Sequence, residues 1–228
     1  MDIRIESLLA GAGTATGSVV IIDVFRAFST AAVALSRGAV KIVMVRTVEE
    51  ALALRAAGAG QLCIGEENSR APDGFDFGNS PHEASLANVA GKTIIQRTSA
   101  GTQGVVAATG AERLYTGALV TASATARAIL KHGEPRATLV AMGDKGVTRT
   151  DEDELCALHL RNLLEGRRGN AAAIRDVILA GKRIPDFADP TKPHLHPEDL
   201  AIALDVDRYD FAMRVTQQDG RPVAMMER

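Results

Sequence analysis

Four short groups of residues in this chain carry types that could do chemistry together. They are Asp23 with Arg26 in DVFRAFST, Glu66 in GEE, the hydroxyls of RTSAGTQG, and Gly143-Asp144-Lys145. An Arg at position 26, with Ser29 or Thr30 on the same side of a first helical turn, would fork onto phosphate or sulfonate oxygens. The competing reading is an ion pair between Arg26 and Asp23 at a strand end. RTSAGTQG sets Arg97, Thr98, Ser99, Gly101 and Thr102 between a strand and a helix, where unpaired backbone N–H groups favour an anion. Capping of that helix by Ser99 or Thr102 would explain one hydroxyl. It leaves an Arg and two further hydroxyls unexplained.

The carboxylates form a second set. GEENSRAPDGFDFGNSP is the longest irregular tract of the first 165 residues, and long loops at strand tips are usually functional. Its end has a structural explanation: Ser80 as N-cap, Pro81 at the first helical position and Glu83 completing a capping box. Asp76, between Phe75 and Phe77, has none, although an Asp beside Gly is usually a solvated turn residue. Asn79 in the same loop is read as a further substrate contact. TDEDE adds Glu152 and Asp153, though acids at a helix start are favoured in any case. Glu66, Asp76, Glu152 and Asp153 are hard oxygen donors without a Cys or His partner, which points to Mg²⁺. Asp23 could serve as general base, metal ligand or orienter of Arg26, or as the nucleophile of an aspartyl-phosphate route.

Several other signals are read as structural. GAGTATG (11–17) precedes a strand instead of following one, so it reads as a flexible turn and not a dinucleotide fingerprint. Cys63 and Arg70 are one residue too far apart for a thiolate phosphatase loop, and Cys63 lies within a strand run. Phe25 stands where an aspartyl-phosphate enzyme would carry its second acid. The His pair of HLH (194–196) reads as surface, and Asp205 and Asp207 receive no role.

Positioning these residues requires strands and helices in alternation. VVIIDV, KIVMV, QLCIG, KTIIQR, RLYTGAL and ATLVAM read as strands, with helix-period stretches between them. The spacing predicts an α/β fold, a three-layer α/β/α sandwich with a mostly parallel sheet. The last 60 residues read as helical packing with a Pro-rich loop, RIPDFADPTKPHLHP, all within a single domain spanning 1–228. In such sheets ligands bind beyond the carboxyl ends of the strands, where all four groups fall.

Composition narrows the partners. The 228 residues carry 26 Lys and Arg against 28 Asp and Glu, with 4% aromatics and no Trp. That balance offers no footprint for nucleic acid and no polybasic membrane patch. Charges at Arg37, Lys41 and Arg46 interrupt the most apolar region, and MDIRIESLL is no signal peptide. Two cysteines suggest a reducing, cytoplasmic setting. Self-association as a homo-oligomer is left open.

DVFRAFST, GEE, GFDFGNSP, RTSAGT and EDELCA, in this order and spacing, resemble the 2-phosphosulfolactate phosphatase family, strongly over about residues 20–160. The resemblance implies a three-layer α/β/α fold and a Mg²⁺-dependent phosphomonoester hydrolase. Its named member removes phosphate from 2-phospho-3-sulfolactate on the route to coenzyme M. Ala100 departs from the family's usual Asn in the TSNGT or TTNGT loop, which bears on the sulfonate end of the substrate. The sequence thus leads to a Mg²⁺-dependent phosphatase for a small phosphorylated organic acid. Arg26 and 98–102 would hold the phosphoryl group, with Glu66, Asp76, Glu152 and Asp153 toward the metal. A non-catalytic phosphate-ligand sensor on the same fold, or a phosphatase for a non-sulfonated phospho-acid, are the alternatives; the surplus of acids favours an enzyme.

Overall fold

A computed structural model describes residues 1–228 and shows the alternation starting at the second residue. β1 (Asp2–Ser7) leads into α1 (Leu8–Thr14), and β2 (Gly17–Ile22) into α2 (Ala27–Ser36). β3 (Lys41–Val45), α3 (Val48–Ala56) and β4 (Leu62–Gly65) precede the long irregular tract. α4 (Pro81–Leu86), β5 (Thr93–Arg97), α5 (Gly101–Ala107), β6 (Ala111–Gly117), α6 (Ala122–His132) and β7 (Arg136–Ala141) follow. The remainder comprises α7 (Asp151–Leu164), α8 (Ala171–Leu179), a 3-10 turn at Ile184–Ala188, α9 (Pro197–Ala203) and the strands β8 (Ala212–Gln218) and β9 (Arg221–Glu227).

The nine strands form one sheet in the order β1-β7-β2-β6-β8-β9-β3-β5-β4. Five of its eight pairings are parallel, and helices cover it, as the alternation predicts. The C-terminal expectation needs correction. Residues 171–203 are largely helical, but β8 and β9 form an antiparallel hairpin inserted between β6 and β3. The hairpin halves alternate buried and exposed residues too weakly to read as strands on their own, and pairing on both sides supplies what propensity does not. β1 is likewise an addition: its charged residues Asp2, Arg4 and Glu6 mask an edge strand, which pairs with β7 through its backbone. GAGTATG is not a free turn, because Gly11–Thr14 close α1.

Period-2 alternation sorts the core. Val19 and Ile21 of β2 pack with α2 and α5 on one face, while Val20 and Ile22 pack with α6 and α7 on the other. β2 is buried throughout, and each fully buried Val or Ile contributes about 1.5–3 kcal/mol relative to exposure. Ile42 and Met44 of β3 join the α2 cluster, and Val43 and Val45 pack toward α3.

The hairpin also shapes the sheet. In a flat sheet β2 and β5 would stand five strand spacings apart, roughly 24 Å, and three antiparallel steps would send their carboxyl ends to opposite edges. Instead Asp23, just past β2, accepts a hydrogen bond at 2.9 Å from Gly101 N, just past β5. The sheet therefore curls around α2, whose residues 27–35 are all buried, and brings the two sets of strand ends together. No helix is long and apolar enough to cross a membrane.

Candidate active site

Where the two sets of strand ends meet, a cleft of about 350 Å³ opens. Asp23, Glu66, Ala100 and Gly143–Lys145, which follow β2, β4, β5 and β7, line its inner wall. Glycines make these turns possible. Gly65 has φ +126, and a Cβ there would lie 1.8 Å from Arg97 O. Gly143 has φ +65, with Thr148 O 2.1 Å from where a Cβ would stand. Only glycine tolerates both the dihedral and the approach, so Glu66 and Asp144 owe their places to the residues before them.

Asp23 sits at the floor, 5% exposed. Its Oδ1 accepts from Ala27 N at 3.0 Å and its Oδ2 from Gly101 N at 2.9 Å. Glu66 accepts from Ser69 N at 2.8 Å, from Ser99 Oγ at 3.0 Å and from Ser99 N. Asp153 lies behind them and joins two strand ends, accepting from Val24 N at 2.7 Å and Gly143 N at 2.8 Å. Burial pushes the Asp23 carboxyl up to about 7, with the Glu66 and Glu152 charges adding to it and the Ala27 and Gly101 N–H groups opposing. Burial also raises Asp153, helped by Asp23 and Glu152. Burial is the main cause of the rise at Glu152 as well, with the Arg183 charge opposing. The acids thus form a buried, closely spaced group that holds protons more tightly than ordinary carboxylates.

Around this floor the cleft presents five cationic side chains: Arg26, Arg70, Lys145, Arg183 and Lys192. Their field is visible at His194, which is pushed down by burial and then by the Arg70, Arg26 and Lys192 charges. Arg26 is buried and does not pair with Asp23. Its Nη1 donates to Asp199 Oδ2 at 2.7 Å and to His194 O at 2.8 Å. Asn79, 6% exposed, lines the cleft with its Oδ1 unpartnered. The orphaned atom is an acceptor and takes a donor such as a water or a ligand hydroxyl, and no hydrogen bond occupies Nδ2, so the place suits a ligand contact.

Other residues singled out in the sequence fall elsewhere. Asp76 is corrected to a structural role: its Oδ2 accepts from Arg55 Nη1 at 3.0 Å and from Cys63 N at 2.8 Å, fastening the loop along the edge strand β4. Its nearest cation lies on α3, outside the cleft. Ser29 donates to Val24 O at 2.8 Å and is fully buried. Thr98 and Thr102 bond reciprocally, each hydroxyl accepting from the other's backbone N–H, so they close the turn into α5 instead of facing a ligand. Of the N–H groups expected to cradle phosphate, Ser99 N is taken by Glu66, Gly101 N by Asp23 and Thr102 N by Thr98, leaving Ala100 N, at the cleft wall, without a protein acceptor. Arg97 braces the β4 end, donating to Glu66 O and Arg46 O and pairing with Glu67 at 3.1 Å. Glu152 pairs with Arg183 at 3.6 Å and faces a neighbouring cleft. Ser80 caps α4 as expected, accepting from Glu83 N at 3.1 Å, but Glu83 turns to Gly78 N instead of closing the box.

Sequence reasoning missed most of the cationic rim. Arg183, Asp186, Phe187, Lys192 and His194 come from the Pro-rich tract, which folds over the cleft. HLH is therefore no surface pair. Its one available signal was the Pro and Asp content, which marks an ordered loop without saying what it covers.

A metal's place can be tested against these donors. No three Asp, Glu, His or Cys side chains converge as a preformed metal cage. Asp23 and Glu66 nevertheless present hard oxygens with lone pairs left over, and neither has a cation partner within the protein. That donor set fits Mg²⁺, which commonly uses one or two carboxylates and completes its shell with water and substrate phosphate.

A mostly parallel sheet with a polar cleft at its strand ends is the α/β arrangement in which small ligands bind. The chain belongs to the 2-phosphosulfolactate phosphatase family: residues 4–190 match the family described as 2-phosphosulpholactate phosphatase. It is accordingly a phosphatase, a phosphoric monoester hydrolase. A Bacillus subtilis (strain 168) protein named "Probable 2-phosphosulfolactate phosphatase" is 32% identical over 204 residues, 88% of this chain and 87% of that one. Proteins of the same name from Thermotoga petrophila and Deinococcus radiodurans are 49% identical over 86 residues and 38% identical over 133. Those two alignments cover 38% and 58% of this chain, and 37% and 55% of the relatives. The family match ends before Lys192, His194 and Asp199.

Proposed function

We propose that this protein hydrolyses 2-phosphosulfolactate to sulfolactate and phosphate with Mg²⁺ bound at Asp23 and Glu66. The observation that carries the reading is the cleft itself, a floor holding Asp23 and Glu66 without cation partners beside Arg26, Arg70, Lys145, Arg183 and Lys192. Arg26, Arg183 and Lys192 are paired with Asp199, Glu152 and Asp186, while Arg70 and Lys145 have no carboxylate partner and suit an anionic substrate, and a divalent cation matches the floor. A phosphate sensor would need the cations but not the buried acids, whose mutual repulsion costs stability unless it serves chemistry.

In this reading Arg26 donates from Nε and Nη2, which have no protein acceptor, to phosphoryl oxygens. Asn79 contributes its amide to the same group or to the adjoining carboxylate. Arg70 and Lys145 orient the acid end by charge. Asp23 would hold Mg²⁺ with Glu66 and orient the attacking water; as the water oxygen bonds to phosphorus the P–O bond to sulfolactate breaks, and the water's proton passes to the departing alkoxide oxygen. When bound, Mg²⁺ supplies Lewis-acid stabilisation of the charge that develops on the phosphoryl oxygens. The buried free thiols Cys63 and Cys156 take no part, and burial pushes the Cys63 thiol up, away from nucleophilic use. They suit a reducing cytoplasm, and the sulfolactate released would feed coenzyme M synthesis as the resemblance implies.

The test is phosphate release by the purified protein from 2-phosphosulfolactate and, separately, from phospholactate, before and after chelation. Release from the sulfonated substrate, lost in EDTA and restored by Mg²⁺, is expected. Full activity after chelation overturns the metal; preference for phospholactate overturns the sulfonate.

A further inference from the structure

We infer that Asp199 is a positioning residue for catalysis, holding the Arg26 guanidinium so that its free edge faces the substrate; this rests on the reading of Arg26 as the phosphoryl contact. Asp199 is fully buried at the start of α9, and both of its oxygens are saturated. Oδ2 accepts from Arg26 Nη1 at 2.7 Å and, more weakly, from His196 N at 3.4 Å. Oδ1 accepts from Ser80 Oγ at 2.6 Å and from His82 N at 3.0 Å. One carboxylate therefore joins three separate parts of the chain: the residue that opens α2, the cap of α4 and the Pro-rich tract over the cleft.

The arrangement exceeds what stability alone requires. A buried ion pair is weak evidence of stabilisation, since desolvation offsets much of its attraction. Here the pair is one-sided. Asp199 and the His194 carbonyl both take Nη1, which leaves Nε and Nη2 without a protein acceptor on a side chain that lines the cleft. A guanidinium is planar, so fixing one nitrogen from two directions fixes the plane of the other two. A lysine could not transmit this constraint, having no plane to set.

Asp199→Asn separates the two functions of the carboxylate. The amide oxygen can still accept from Ser80 Oγ and His82 N, but the amide NH₂ then meets Arg26 Nη1 donor to donor. Arg26 loses its fixed orientation while the loops stay joined. A double-mutant cycle with Arg26→Lys reads the coupling, using both kcat/KM on 2-phosphosulfolactate and calorimetric affinity for inorganic phosphate. Asp199→Asn is expected to lower both by about tenfold, the loss of roughly one charge-assisted hydrogen bond. In the Arg26→Lys background the same change should cost less than about twofold, because no plane remains to be set. Equal losses in the two backgrounds, or none in either, overturn the proposal. Should Asp199→Asn not fold, Ser80→Ala removes one anchor of the carboxylate, and the same background dependence is required of it at smaller amplitude. If the wild type leaves 2-phosphosulfolactate untouched yet binds phosphate, the substrate assignment fails and the affinity cycle still decides Asp199. A wild type that binds no phosphate overturns the Arg26 contact and this inference together.

Discussion

Two aspartates in this chain, Asp76 flanked by Phe75 and Phe77 and Asp23 two residues before Phe25, end in opposite circumstances. Asp76, in GFDFGNSP, is 32% exposed and ion-paired with Arg55 at 3.0 Å, and it accepts from the backbone of an edge strand. Asp23, in DVFRAFST, is 5% exposed, has no cation beside it, and borders Glu66 and Asp153. The first has its charge answered by protein, and so it is finished as an architectural part. The second is left wanting a cation or a proton, and is the one positioned to act. Local sequence made Asp76 the more conspicuous of the two, because Phe75 and Phe77 suggested desolvation. Phe75 and Phe77 instead pack against separate clusters on either side, leaving the carboxylate at the edge between them.

Substitution with Asn at each position should pull the comparison apart. Asp23→Asn removes a proposed Mg²⁺ ligand and should lower kcat by at least about 10²-fold; activity within threefold of wild type would show that Asp23 only orients its neighbours. The effect of Arg26→Lys should come next, a loss of about 1–3 kcal/mol in transition-state binding, read as kcat/KM. Wild-type kinetics there would reduce Arg26 to a structural partner of Asp199.

A third measurement follows from the raised pKa. Asp23 binds a proton up to about pH 7 when folded, but an unfolded Asp releases it near 4. Over that window the native state holds more protons, so this group's contribution to stability falls as pH rises from about 4 to about 7. Metal-free Asp23→Asn should lack that slope, so its melting temperature should gain on wild type as pH rises from about 5 to about 8, on top of a pH-independent loss because the amide NH₂ meets Ala27 N or Gly101 N donor to donor. A difference between variant and wild type that stays constant over that range would contradict the unpaired-acid picture. The smallest effect is expected at Asp76→Asn: about 0.5–1 kcal/mol of stability from a partly solvated pair, with kcat unchanged within twofold. A hundredfold loss of activity there, rescued by added Mg²⁺, would restore Asp76 to the metal site.

What the sequence determined by itself was local and periodic. Alternating apolar runs marked β2 through β7 and their helices, Ser80 marked a cap, and the strand-end rule placed Asp23, Glu66 and Asp144 at one cleft. Hydrogen bonds within a turn and side-chain periodicity depend on neighbours a few residues away, so they are written in order along the chain. Which hydroxyl faces a ligand is not. Ser29, Thr98 and Thr102 carry the right chemistry but are consumed by backbone partners that only the folded turn reveals. The tertiary structure alone decided that β8 and β9 enter the middle of the sheet, that the sheet curls to bring Gly101 onto Asp23, and that the Pro-rich tract carries Lys192 and His194 over the cleft. It also decided the partner of Arg26, which lies 173 residues away at Asp199 and not three residues away at Asp23. Such pairings are chosen by burial: a desolvated guanidinium takes the acceptor that the packed chain delivers to it, whatever its distance in sequence.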